Sequence, residues 1–330
     1  MLTRRTLNSE DDHIKLMKFW RPFHSVLTVV SLLLSAALVA GCSTLDERQR
    51  AWIFQPSDRS WGGSALAARD MDDVWIEFES RITGQTSQLH GLWLEADKPL
   101  ASLATGKMLK ASLPLGGLAN PNNHTSADQP ILLYLHGARW NVTGSAFRMR
   151  RMQELGFSVL GVDYRGFGKS SAELPSEDMA YEDARAAWDW LAAKYPNRPR
   201  YIFGHSLGGP IAINLAAQVS DESGTIVEGT FTSIADVVST FKWGWVPISA
   251  LITQRFEAVR KVDQIGSPLL VVHGGRDQLI DPSLGRKLYE AATEPKLFVL
   301  VEDGSHHNTN SVGQPQYKEA LAQLFKLDAR

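Results

Sequence analysis

One short run, Gly204-His205-Ser206-Leu207-Gly208, constrains this chain more than any other feature. The apolar stretch Tyr201-Ile202-Phe203 leads into it and reads as a buried strand. Pro210 to Ala217 follows it and reads as a helix, with Pro210 in the first turn, where a missing N–H costs little. G-x-S-x-G between a strand and a helix puts a serine on a sharp turn with its hydroxyl exposed. The turn strains the serine backbone, and a Cβ at Gly204 or Gly208 would collide with the neighbouring strand or helix. The five-residue pattern alone is a weak signal; the strand before it and the helix after it carry the weight.

A serine hydroxyl is a poor nucleophile at neutral pH and needs a base, usually a histidine oriented by a carboxylate. One known arrangement runs Ser, then Asp or Glu, then His along the chain. Downstream of Ser206, Pro268 to Val272 reads as a strand ending in His273-Gly274-Gly275-Arg276-Asp277. A helical stretch, Pro282 to Ala292, precedes a further strand, Lys296 to Val301, and then Glu302-Asp303-Gly304-Ser305-His306-His307. Asp277 and the histidines each lie just past a strand's C-terminal end, where ligands bind in parallel sheets. His306 stands at the usual loop distance from its strand, with His307 as the alternative. Asp277 directly follows its strand and turn; Asp236 and Asp281 are the other carboxylates in range.

An acyl-transfer site also needs two backbone N–H groups aimed at the developing oxyanion. Leu207, the residue after the serine, is one candidate. The second is expected in the loop after the strand Ile131 to Leu135, which reads His136-Gly137-Ala138-Arg139. Ala138 is the first choice there and Arg139 the second.

Together with Leu89-His90-Gly91-Leu92-Trp93-Leu94, Val162-Asp163-Tyr164-Arg165-Gly166-Phe167-Gly168-Lys169-Ser170 and Pro175-Ser176-Glu177, these segments resemble the α/β-hydrolase superfamily over about residues 72–328. The resemblance is to its compact-lid branch, serine aminopeptidase-like or Bem46-like. It implies an α/β fold with a mostly parallel sheet, helices on both faces and a short cap at about 234–265. It also implies a catalytic Ser206-His306-Asp277 triad, an oxyanion hole at Ala138 and Leu207, and no cofactor. The branch holds esterases, thioesterases, lipases and peptidases, so it defines the chemistry better than the substrate. The chain departs from it at Ala138-Arg139-Trp140-Asn141, where the branch carries smaller residues.

The amino terminus bears on location. Lys18 and Arg21 precede an apolar run from Val26 to Ala40, and Val39-Ala40-Gly41-Cys42 resembles a bacterial lipobox. The run is shorter than the roughly 20 residues of a comfortable span. Residues 1–41 are thus expected to be a signal peptide, with Met17 as an alternative start, and Cys42, the only cysteine, to be lipidated. Ser43 after it suits an outer-membrane destination facing the periplasm. Residues 42–70 read as a tether whose Trp52, Phe54 and Trp61 pack on the body or against a membrane.

The rest is organised around one core. From Ile131 onward strands alternate with helices expected over 144–155, 176–195, 209–219, 283–293 and 315–327. Asp73 to Glu95 reads as an antiparallel pair, and residues 97–129 as a surface insertion. Phe241, Trp243, Trp245, Val246, Ile248, Leu251 and Phe256 are expected to wall an acyl pocket or cover the sheet. Net charge is −2 with no basic block, which disfavours nucleic acid. His136, His205 and His273 lack metal-ligand spacing and read as packing residues behind the site. The expectation is a monomeric, lipid-anchored envelope hydrolase of carboxylic esters. A peptidase or amidase on the same triad, or an idle binding lipoprotein, are the alternatives.

Overall fold

Continuous apolar runs without polar alternation are satisfied as strands covered on both faces. The computed structural model describes residues 44–57, 62–96, 129–240 and 251–327. Its strands are β1 (Asp72–Glu79), β2 (Thr86–Leu94), β3 (Ile131–Leu135), β4 (Ser158–Val162), β5 (Arg200–His205), β6 (Gly224–Glu228), β7 (Leu269–Gly274) and β8 (Lys296–Val301). They form one eight-stranded sheet in the order β1-β2-β4-β3-β5-β6-β7-β8. β1 and β2 run antiparallel, as the alternation in Asp73 to Glu95 predicts, and β2 runs antiparallel to β4. Every other pairing is parallel. The signal-like segment 1–41, Cys42, residues 97–128 of the expected insertion, and Phe241, Trp243, Trp245, Val246 and Ile248 lie outside the described residues.

Residues 44–54 are helical, and the further helices are α1 (Ser64–Ala67), α2 (Ala146–Glu154), α3 (Glu177–Lys194), α4 (Gly208–Ala216), α5 (Ile234–Ser239), α6 (Pro282–Ala291), α7 (Thr309–Val312) and α8 (Gln314–Phe325). Local chemistry starts several of them. The Ser176 hydroxyl accepts from Met179 N–H at the head of α3, with Glu177 and Asp178 in its first turn. Asp281 caps α6, which opens on Pro282. One apolar layer packs α3 and α4 on the sheet through Ala184, Trp188, Ile211 and Leu215. The other packs α2 and α8 through Met149, Met152, Tyr317 and Leu321. Removing one fully buried side chain from either layer, such as Ile202→Ala, costs about 2–5 kcal/mol.

Strand order decides where a ligand can sit. The chain places β4 on one side of β3 and β5 on the other, so the connections after β3 and β5 diverge. The crevice lies at the carboxyl ends of those two strands. The elbow serine follows β5, and the His136–Arg139 loop follows β3.

Arg50–Arg330 forms one compact unit. Phe54 is fully buried within it, edge-to-face with Phe167 and Phe256 at ring separations of 6.3 and 5.7 Å. Phe54, in the segment expected to be a tether, thus packs on the body, one of the two placements its sequence suggests.

Candidate active site

Ser206 sits on the turn between β5 and α4 at φ 54°, a conformation that costs a non-glycine residue about 1–3 kcal/mol. Three hydrogen bonds hold it there. Ser206 N–H donates to Glu228 carbonyl at 2.9 Å, and its own carbonyl accepts from Gly209 N–H and the Thr230 hydroxyl, each at 2.9 Å. The glycines are needed because their surroundings leave no room: a Cβ on Gly204 would stand 2.3 Å from the Gly208 carbonyl oxygen, and one on Gly208 would stand 2.1 Å from that of Leu135.

His306 brings its Nε2 to 3.0 Å from Ser206 Oγ and its Nδ1 to 2.8 Å from Asp277 Oδ2. The other carboxylate oxygen of Asp277 accepts from the N–H groups of Leu279 and Ile280, each at 2.9 Å. Burial alone would raise the Asp277 carboxyl. The hydrogen bonds from His273 and His306 outweigh it and hold the group well below the usual carboxylate range. Gly229, at φ 56°, passes close to this pair, with a would-be Cβ 3.5 Å from both Asp277 Oδ2 and His306 Nδ1.

The alternatives have other tasks. His307 is exposed, its ring edge-on to His306 at 5.4 Å. Asp236 closes the N-cap of α5, accepting from the Thr232 and Ser233 hydroxyls while its N–H bonds Ser233 Oγ. Asp281 accepts from Ser283 N–H at 2.9 Å as the cap of α6.

The loop after β3 lies against the serine: a Cβ on Gly137 would meet Ser206 Cβ at 3.1 Å. Arg139 N–H donates to the Phe54 carbonyl at 2.8 Å and is thereby occupied. Neither Ala138 nor Leu207 N–H has a backbone acceptor among the described residues. Arg139 and Trp140 both take positive φ, 66° and 61°, a strained turn for two bulky residues.

Three polar groups that sequence reasoning did not single out, Arg148, Glu228 and Tyr317, lie under the site. Arg148 Nε donates to Glu228 Oε1 at 2.9 Å, and Tyr317 donates to Glu228 Oε2 at 2.5 Å. Arg148 Nη2 also reaches the His307 carbonyl at 3.4 Å, and His205 Nε2 stands 3.1 Å from the His306 carbonyl. The loop carrying His306 is thus bonded from below by α2 and β5. A signal existed in Ile226-Val227-Glu228, a carboxylate ending an apolar strand, because such a charge must be paired. Burial and the neighbouring Arg148 charge push His205 well below its ordinary value, leaving it neutral.

His136 and His273 are fully or nearly fully buried. His136 Nδ1 donates to the Gly137 carbonyl at 2.7 Å, and His273 Nε2 donates to that of Ile280 at 3.1 Å, which steadies the Asp277 loop. No group of three metal-ligating side chains occurs among the described residues. The Asp163-to-Ser170 run is structural: Asp163 accepts from Val142 N–H at 2.6 Å, and buried Arg165 bonds Asp183 at 2.7 Å and Glu182 at 2.6 Å.

A doubly covered, mostly parallel sheet with a serine on the turn beyond its switch point defines the α/β-hydrolase class. The family described as "Serine aminopeptidase, S33" matches residues 126–258. An uncharacterised protein of Mycobacterium tuberculosis is 34% identical over 197 residues, covering 59% of this chain and 68% of that protein. The lysophosphatidylserine lipase ABHD12 of Danio rerio is 30% identical over 189 residues, covering 52% of this chain and 49% of that one. The chain thus spans about half the length of the lipases it matches. The solved esterase Pf2001 of Pyrococcus furiosus shares the fold at TM-score 0.58 and 18% identity, covering 83% of this chain and 97% of that one. The chain belongs to the α/β-hydrolase family of serine hydrolases.

Proposed function

We propose that the chain cleaves carboxylic ester bonds through a catalytic triad of Ser206, His306 and Asp277. The reading rests on one observation above all, the continuous Ser206–His306–Asp277 contact at 3.0 and 2.8 Å with the serine on a strained turn. Ser206 Oγ attacks the acyl carbonyl while His306 Nε2 takes its proton. Asp277 holds the imidazole so that Nε2 faces the serine, and stabilises the imidazolium that forms. The N–H groups of Ala138 and Leu207 receive the oxyanion, the second proton transfer from His306 expels the alcohol, and water then releases the acyl-enzyme. Atoms balance without a cofactor.

The similarity to lysophosphatidylserine lipases favours a single-chain acyl ester of a polar alcohol as substrate class, and the segments quoted from the sequence favour the compact-lid branch as the chain's place in the family. Val39-Ala40-Gly41-Cys42 supports a lipoprotein of the bacterial cell envelope, acylated at Cys42 and held on the outer membrane facing the periplasm. Acylation contributes about 0.8 kcal/mol of membrane affinity per buried CH₂, and stable anchoring takes more than one chain.

The test is hydrolysis of p-nitrophenyl esters from acetate to palmitate beside Ser206→Ala. Activity lost in the variant, with fluorophosphonate labelling lost in parallel, supports the triad. A chain that turns over aminoacyl amides better than esters is a peptidase, and one that neither hydrolyses nor labels is a binding protein.

A further inference from the structure

Among its described residues, the unit beginning at Arg50 exposes eight large apolar side chains, each 44–67% accessible, and their placement is one-sided. Phe147 opens α2, just beyond the β3 loop, and the N-cap of α1, Gly63, lies beside it, since a Cβ there would stand 3.6 Å from the Phe147 ring; Leu66 is exposed on that same short helix. Val312 ends α7, which follows the His306 loop, and Leu279 lies two residues past Asp277. Trp52 precedes Phe54, whose carbonyl holds the loop after β3. Trp75 pairs with His90, one step beyond the Gly91–Val162 pair that ends β4, and Ile82 sits in the hairpin beyond that. Leu251 belongs to the stretch bonded to the start of α5 through Ile234 N–H and the Arg255 carbonyl. All are at the edge where the parallel strands end. Among the described residues of this unit, the opposite edge exposes no apolar side chain of that size.

Scattered exposed apolar groups are normal on a soluble surface, whereas a set gathered on one edge marks an interaction face. Two of the eight are tryptophans, a residue enriched at the membrane–water boundary. Arg139, on the same edge, donates to Gln55 Oε1 at 2.8 Å and has no carboxylate partner among the described residues, which suits an anionic lipid surface. The chain itself brings a bilayer within reach. The apolar run ends at Ala40, and the ten residues from Cys42 to Trp52 span at most about 35 Å.

We propose that this carboxyl edge docks on the lipid bilayer, so that the mouth of the active site opens onto the membrane surface and takes its ester from the lipid phase. The proposal rests on the membrane-anchored ester hydrolase reading above. The full chain is reconstituted with vesicles of phosphatidylcholine and phosphatidylglycerol that contain a nitroxide-labelled lipid. Phe147→Cys and Val312→Cys each carry an environment-sensitive dye, as does Asn197→Cys on the opposite edge. Dyes at 147 and 312 are quenched and the dye at 197 is not. In a second measurement, Leu66→Ser with Phe147→Ser lowers turnover of a long-chain ester in vesicles at least tenfold and leaves p-nitrophenyl acetate turnover unchanged. A chain that floats with vesicles yet shows no quenching at 147 and 312, or equal quenching at 197, overturns the docking alone. Dyes shielded without vesicles by a dimer seen in light scattering also overturn it, in favour of a second copy. A chain that does not float overturns the anchor and the docking together, while p-nitrophenyl acetate turnover tests the triad independently of both.

Discussion

The backbone N–H of Arg139 donates to the carbonyl of Phe54 at 2.8 Å, tying the loop beside Ser206 to a residue more than eighty positions earlier. That bond occupies the Arg139 N–H, while the Ala138 N–H has no backbone acceptor among the described residues. Phe54 is itself held by its buried ring. Phe54→Ala is therefore expected to lose about 3–5 kcal/mol of stability by urea unfolding. It should also lower kcat for a soluble ester, because the loop loses its anchor. Unchanged kcat in a folded Phe54→Ala would show that the loop keeps its shape unaided.

Asp277→Asn should drop kcat by about 10⁴ while KM changes little, since an amide stabilises the wrong tautomer of His306. Steady-state kinetics on p-nitrophenyl acetate reads this directly. A loss below tenfold would mean that another group orients His306.

Arg148, partly buried, pairs with the fully buried Glu228, and removing Arg148 strands the carboxylate. Arg148→Met should cost about 3–5 kcal/mol, and the double variant Arg148→Met with Glu228→Gln should recover part of it. Denaturant melts of the three proteins measure the coupling. The single variant should also lower kcat, because the His306-His307 turn loses a donor from below.

The buried histidines give stability a pH dependence with a definite sign. Burial depresses His205, helped by the Arg148 charge, and burial depresses His136 as well. Below about pH 6.5 the unfolded chain therefore binds protons that the folded one refuses, and stability falls by up to about 1.4 kcal/mol per pH unit for each group. His90 opposes this. Burial would lower it, but bonds to Asp163 and Asp73 win and raise it, so its contribution is present below about pH 6.5 and lost as pH rises through its folded value. Asp277 is depressed, so its contribution is present above about pH 4 and begins to be lost only below that. Urea unfolding between pH 7 and 5 should show a net loss, and His205→Gln should flatten it. An unchanged slope in that variant would remove His205 from the account.

Much of this protein was readable along the chain. Apolar runs of five or six residues specify strands wherever they fall, and Ser176, Asp281 and Pro282 set helix starts by bonds within one turn, so each of the five expected helices lies within three residues of its observed ends. That Ser206, Asp277 and His306 could meet was legible because a strand end is a local feature, and each follows one. What the sequence could not decide is everything that depends on two distant segments meeting. Arg139 and Ala138 are neighbours with the same backbone donor, and only the Phe54 carbonyl distinguishes them. His306 and His307 differ by one residue, and only the positions of Ser206 and Asp277 decide which ring stands between them. Arg148 and Glu228 belong to α2 and β6, and their charges have meaning only once burial denies them water. Local periodicity specifies elements; the bonds that convergence makes possible, between groups that must be paired when desolvated, specify the site.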